Sequence, residues 1–110
     1  MMIDKVYSYL GFASKSRSLV TGYNTCILMM EKRKIKLLIL CSDLAENTLK
    51  KMIKECNKYD LKFRIFGKCD EISKATGNVG KGIFGITDKN FAEVITKEID
   101  QIQSKEKEGF

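Results

Sequence analysis

The seven residues Ile35-Lys36-Leu37-Leu38-Ile39-Leu40-Cys41 are apolar at every position but one. A strand with one wet face alternates apolar and polar residues, whereas an unbroken apolar run needs cover on both faces. Ser42 and Asp43 end the run after a length that suits a strand better than a helix. The run therefore predicts a central strand in a sheet with helices packed on either side.

The rest of the chain supplies those layers. Val6, Tyr7 and Leu10 stand at helical spacing within 3–13, with an end expected near Gly11, and 14–18 reads as a basic, hydroxyl-rich loop. Leu19 and Val20 make a stub of strand. A second helix follows from about Gly22 to Arg33, with Cys26, Ile27, Met29 and Met30 as its apolar face. Leu49, Met52, Ile53 and Cys56 fall at i, i+3, i+4 and i+7 of a helix over 45–59, whose lysines 50, 51, 54 and 58 form a solvated outer face. Phe63 and Ile65 alternate with Lys62 and Arg64 as a strand with one wetter face. A short helix over 70–75, a glycine-rich loop over 76–82, a strand over 83–87 and a helix from Asp88 complete the order. That last helix would turn Phe91, Val94, Ile95, Ile99 and Ile102 inward and leave 104–110 as a charged, frayed tail. The fold class this predicts is α/β, a three-layer α/β/α sandwich with a small mixed four-stranded sheet, in one domain over 1–103.

Charge points to the partner. The chain of 110 residues carries a net +6, with 31% charged and 44% hydrophobic residues, proportions of a globular protein rather than a disordered one. Residues 1–36 hold seven Lys or Arg against two acids, and the remainder is nearly balanced. A surface basic only for solvation would not segregate in this way, so an anionic partner near the first third is favoured. No apolar run approaches the roughly 18 residues of a membrane span, and the N-terminus lacks the layout of a signal peptide. These features place the chain in the cytoplasm, away from membranes.

Catalytic and cofactor signals are weak. There is no histidine, which removes the commonest acid–base group and the usual partner of a Ser or Cys nucleophile. Cys26, Cys41, Cys56 and Cys69 lie far apart in sequence and read as small core residues, with no metal site expected. Gly80-x-Gly82-x-x-Gly85 matches a dinucleotide pattern, but a strand should precede it and a helix follow, and here Gly85 falls within a strand. No cofactor is expected. Asp43 with Glu46, Asp70 and Asp88 each open a predicted helix, where capping accounts for them.

The stretch Leu19-Val20-Thr21-Gly22-Tyr23-Asn24-Thr25-Cys26-Ile27-Leu28 is the candidate working surface. Thr21 or Gly22 starts a helix whose first turn carries Asn24 and Thr25, gathering unpaired amides, the positive end of a dipole and short polar side chains. Lys15 and Arg17 lie just before it, and Lys32, Arg33, Lys34 and Lys36 just after. The Asn24 carboxamide offers a donor and an acceptor side by side to a base edge, though such a residue is also ordinary at a helix start. In a sandwich of this order, loops near 15–22, 42–46 and 76–82 could meet at one end.

Gly22-Tyr23-Asn24-Thr25 before an apolar helix resembles the RNA-binding signature of the kink-turn-binding ribosomal-protein family. The similarity runs on through Leu40-Cys41-Ser42-Asp43, Ala45-Glu46-Asn47-Thr48, the segment 63–67, Glu71-Ile72-Ser73-Lys74-Ala75-Thr76-Gly77 and Gly85-Ile86-Thr87-Asp88. Leu10-Gly11-Phe12-Ala13, Leu19-Val20-Thr21-Gly22 and Ile86-Thr87-Asp88-Lys89-Asn90-Phe91-Ala92 are similar to short bacterial YlxQ-like members in particular. The resemblance implies a fold that grips a sharply bent RNA, with Gly22 and Asn24 at the sheared G·A pairs and Thr76, Gly77, Asn78 and Val79 packing on a protruding nucleotide. It departs at Thr25, where the family often has glutamate, and at Leu28, where it has a phosphate-binding lysine. Lys32, Arg33 or Lys36 could then supply charge from elsewhere.

The expected function is thus a non-enzymatic RNA-binding protein of ribosomal type, with structured RNA, ribosomal or other, as partner. Leu28 motivates an alternative, a protein-interaction or ribosome-associated module that has lost kink-turn affinity. A third reading, an enzyme or the substrate-recognition fragment of an RNA-modifying enzyme, lacks a cofactor motif.

Overall fold

The structure, a computed structural model, describes residues 2–78 and 81–108. Its elements in order are α1 (Met2–Lys15), β1 (Leu19–Thr21), α2 (Tyr23–Glu31), β2 (Leu37–Leu40), α3 (Glu46–Lys58), β3 (Phe63–Ile65), α4 (Cys69–Thr76), β4 (Ile83–Ile86) and α5 (Lys89–Glu108). The four strands form one mixed sheet in the order β1-β4-β2-β3, with β4 antiparallel to both neighbours and β3 parallel to β2.

All four residues of β2 are buried, as an unbroken apolar run requires. Leu37, Ile39 and Cys41 enter a core with Val6 and Leu10 of α1, Ile72 of α4 and Ile95 and Ile99 of α5. Leu38 and Leu40 turn the other way, toward Cys26 and Met30 of α2 and Met52 and Cys56 of α3. The period-two alternation of a strand thus sorts the helices into two layers, three against two, and yields the expected sandwich. Burial keeps the inner thiols protonated, pushing Cys26 up to about 12 and Cys56 to about 11.

Several local expectations are corrected. Helix α1 passes through Gly11 to Lys15, because this glycine brings two helices together instead of ending one. A Cβ at Gly11 would lie 2.9 Å from the Ala75 carbonyl oxygen of α4. Asp43 does not cap α3, whose N-cap is Ala45 without a side-chain bond. Its Oδ1 accepts the Cys69 amide at 3.0 Å and so holds the start of α4, a bond that keeps the carboxyl below its ordinary pKa. Asp88 does cap α5, accepting the Phe91 amide at 2.9 Å.

Strand β3 lies at the sheet edge, and its wetter side is not the expected one. Ile65 is exposed, while Arg64 is half-buried and pairs with Asp100 of α5 at 2.7 Å. Val94, expected inside, stays exposed beside Tyr9 and Phe91. Helix α5 continues through residues 104–108, which composition had placed in a loose tail; its Gln, Lys and Glu residues are good helix formers.

Candidate nucleic-acid interface

Strand pairing defines two ends of the molecule. The Gly22 amide donates to the Ile83 carbonyl at 3.0 Å and the Cys41 amide to Gly82 at 3.0 Å, so Gly22, the turn after β2 and the start of β4 share one end. The Lys36 amide donates to Ile86 at 2.7 Å and the Thr87 amide to Ser18 at 2.9 Å, which places residues 18, 36 and 87 at the other.

At the first end, Gly22 is the N-cap of α2 with φ 94° and ψ 157°. An L-residue with a Cβ is strained there, so the chain can enter the helix at this angle only through glycine. No side chain caps the helix, which leaves the amides of Tyr23, Asn24 and Thr25 open at the positive end of the dipole. Asn24 and Thr25 are exposed, and Thr21 and Gly22 are half-buried. Tyr23 is 41% exposed, and Leu28, one turn beyond Asn24 on the same face, is 50% exposed. A polar tip therefore merges into an apolar flank.

The loop after α4 reaches this tip by doubling back. Gly77 closes the helix in the left-handed region at φ 75°. The Asn78 amide then donates to Ser73 at 3.0 Å, and the Ser73 hydroxyl to the Lys81 carbonyl at 3.2 Å. Lys81 Nζ ends 3.7 Å from the position a Cβ would take on Gly22. Sequence reasoning named this loop but not this residue; a lysine between two glycines beside a suspected anion site was the available signal. Gly82 is in close packing, since a Cβ there would lie 2.6 Å from Leu44 Cδ2 and 2.9 Å from Cys69 Sγ.

The other expected loop residues differ in environment. Thr76 is buried, its hydroxyl donates to Ile72 at 2.9 Å, and its carbonyl accepts from Ser14 at 2.8 Å and from the Asn78 carboxamide at 3.1 Å. Gly77 has nothing within 4 Å of its Cβ position. Val79 lies outside the described residues.

The expected basic residues do not join the tip. Arg17, Arg33 and Lys36 lie at the opposite end around one cavity, with Lys34 and Thr87, and Lys32 is the C-cap of α2. Lys15 lines a groove between α1 and α4 with Tyr7, Phe12 and Ala75. Of the three stretches expected to meet, 42–46 and 76–82 touch through Leu44 and Gly82, and 15–22 is divided: Gly22 lies beside Lys81 at the tip, whereas 16–18 turns at the far end.

Among the described residues, Cys41, Asp43 and Cys69 form a group able to share a metal ion, with ligand atoms within 4.8 Å of one another. A soft, thiolate-preferring metal would suit such a set. Burial raises both thiols above their ordinary pKa, and the Asp43 oxygen already accepts the Cys69 amide, so a hydrogen-bonded junction beneath the loop accounts for the group.

A three-layer sandwich that projects an uncapped helix start and a glycine-rich loop at one end defines a structural class. The family model of the ribosomal protein L7Ae/L30e/S12e/Gadd45 family matches residues 4–95, and the chain belongs to that family. An RNA-binding protein YlxQ of Bacillus subtilis is 26% identical over 94 residues, covering 86% of this chain and 94% of that protein. Its namesake in Enterococcus faecium is 32% identical over 97 residues, covering 87% and 91%. A solved structure of a Bacillus halodurans protein of unknown function superposes with a TM-score of 0.84 at 28% identity, covering 87% of this chain and 97% of its own. The Giardia lamblia 15.5kD RNA binding protein shares the fold, with a TM-score of 0.73 at 11% identity over 94% of this chain and 88% of its own.

Proposed function

We propose that this chain is a non-enzymatic, cytoplasmic RNA-binding protein that recognises a structured, kink-turn-like RNA through residues 21–25 and the loop 76–82. The observation that carries the reading is the uncapped start of α2 at Gly22, with exposed Asn24 and the Lys81 ammonium beside it. Open amides and Lys81 would meet phosphate or sugar oxygens, which position the RNA, and the Asn24 carboxamide would read a base edge where a bend exposes one. Among the described residues Asn24 has no other use for its side chain, so no internal bond is lost on binding. Family membership and the RNA-binding relatives support the same reading.

Titration of a fluorescent kink-turn RNA at fixed salt tests it. Asn24→Ala should weaken binding by about 1–3 kcal/mol, the scale of a lost bidentate base contact. An unchanged dissociation constant would remove Asn24 from the site.

Leu28 supports a second reading, a protein-interaction or ribosome-associated module without kink-turn affinity. Its exposure one turn beyond Asn24 gives the flank of the tip an apolar surface where the family carries a lysine. A protein partner retained after nuclease treatment, with no RNA footprint, would favour it.

A further inference from the structure

We propose that the far end of α2 is a second phosphate-binding site, and that RNA held at the tip runs along α2 to reach it. The proposal rests on the RNA reading of the tip and extends its footprint to residues that reading does not use.

Arg17, Arg33, Lys34 and Lys36 converge on an open cavity of about 430 Å³, floored by Val20 and Met29 and edged by Thr87. All four cations are exposed. The ion pairs of the described residues, such as Lys50 with Glu46 and Arg64 with Asp100, lie elsewhere, and none of the four meets a carboxylate within bonding distance. Like charges gathered without a counter-ion repel one another, and of the four only Arg33 has a side-chain hydrogen bond or ring contact of its own among the described residues, with Tyr59.

Backbone conformation adds an independent observation. Arg17 follows the end of α1 with φ 62°, and Arg33 follows the C-cap of α2 with φ 57°. Glycine or asparagine normally takes this left-handed position after a helix, because a Cβ there is strained. Two arginines hold it here and both line the same cavity. The Arg33 guanidinium also donates to the Tyr59 carbonyl at 3.3 Å and lies 5.9 Å from the centre of that ring, which commits one of its N–H groups and leaves the others for an anion. A guanidinium fork matches phosphate oxygens in pairs, so phosphate is the ligand this geometry favours.

The route between the two sites follows α2. Its nine residues span about 13 Å, close to the rise of five base pairs of an A-form RNA stem at roughly 2.8 Å each. Asn24, Leu28 and Lys32 recur at four-residue spacing between the two ends and are all exposed. Leu28 sits midway where a lysine would have met phosphate, and the cavity restores that charge one stem segment further on.

The test uses the full chain, a kink-turn RNA with minimal stems, the same RNA with either stem lengthened by roughly one helical turn, and a Lys34→Glu/Lys36→Glu double variant whose fold is checked by circular dichroism. Lengthening one stem should tighten wild-type binding about tenfold and steepen the log–log salt slope by about two. The double variant should lose that gain and still bind the minimal RNA within about twofold of wild type. No gain from either extension, a gain that survives in the double variant, or equal weakening on the minimal RNA would overturn the proposal. Saturation of the cavity by polyglutamate without any gain from RNA would assign it to an acidic protein and also overturn it. Asn24→Ala separates the two readings: if it binds every RNA like wild type while the double variant does not, the tip reading fails and the cavity remains.

Discussion

At its N-terminus α2 presents backbone: Gly22 at φ 94°, amides without a side-chain cap and the short carboxamide of Asn24. At its C-terminus it leads into side-chain charge, with Arg33, Lys34 and Lys36 joined by Arg17 from the end of α1. On the proposed reading the first end suits specificity, since amides and a carboxamide must be aimed and gain little from a distant anion. The second, on the same reading, suits attraction, since exposed cations act at range and tolerate many sequences. About 13 Å of helix separates them, although all of these residues fall between positions 17 and 36.

The comparison breaks most readily at Gly22. Gly22→Ala forces a Cβ onto a backbone with positive φ and should destabilise the fold by about 1–3 kcal/mol, measured by urea unfolding. The new Cβ would have only Lys81 Nζ near it, at 3.7 Å, so conformation rather than a clash sets the cost. An unchanged unfolding midpoint would mean that the helix entry tolerates side chains and that the tip is less constrained than described.

Leu28→Lys places a charge between the two ends. It should tighten kink-turn RNA binding and steepen the salt slope by about one unit, the signature of one added phosphate contact. A tighter complex with an unaltered slope would instead show that the gain came from another source. Weaker binding would show that Leu28 packs on the RNA as an apolar residue.

Arg17→Gly has the smallest expected effect and sharpens the contrast by separating stability from binding. Relieving the left-handed residue should stabilise the fold by about 0.5–1 kcal/mol, while removal of the cation weakens binding to long-stemmed RNA. Loss of stability would mean that the Arg17 side chain supports the fold.

The same contrast explains how far the sequence could be read. The layer order followed from Ile35–Cys41 and from periodic apolar residues in α2, α3 and α5, because burial on both faces of β2 leaves few other arrangements. Positions 22–25 could also be read, since a helix start is a local event. What could not be read was which ends meet in space. Arg17 and Lys36 are near Gly22 in sequence, but β1 and α2 each carry the chain from one end of the sheet to the other, and neither short element announces its direction. Lys81 was missed for the converse reason: a distant loop folds back along α4, and the Ser73 hydroxyl that holds it is not visible from spacing. Gly11 was misread because a close approach between α1 and α4 and a helix end both call for glycine.

The most direct test of the central claim is residue-resolved shift mapping by heteronuclear NMR, with labelled protein titrated by a minimal-stem kink-turn RNA. The account predicts that the largest perturbations fall on the amides of residues 22–25, the Asn24 carboxamide and Lys81, with small changes at Arg17, Arg33, Lys34 and Lys36. Perturbations concentrated on those four basic residues, with the tip unmoved, would contradict it.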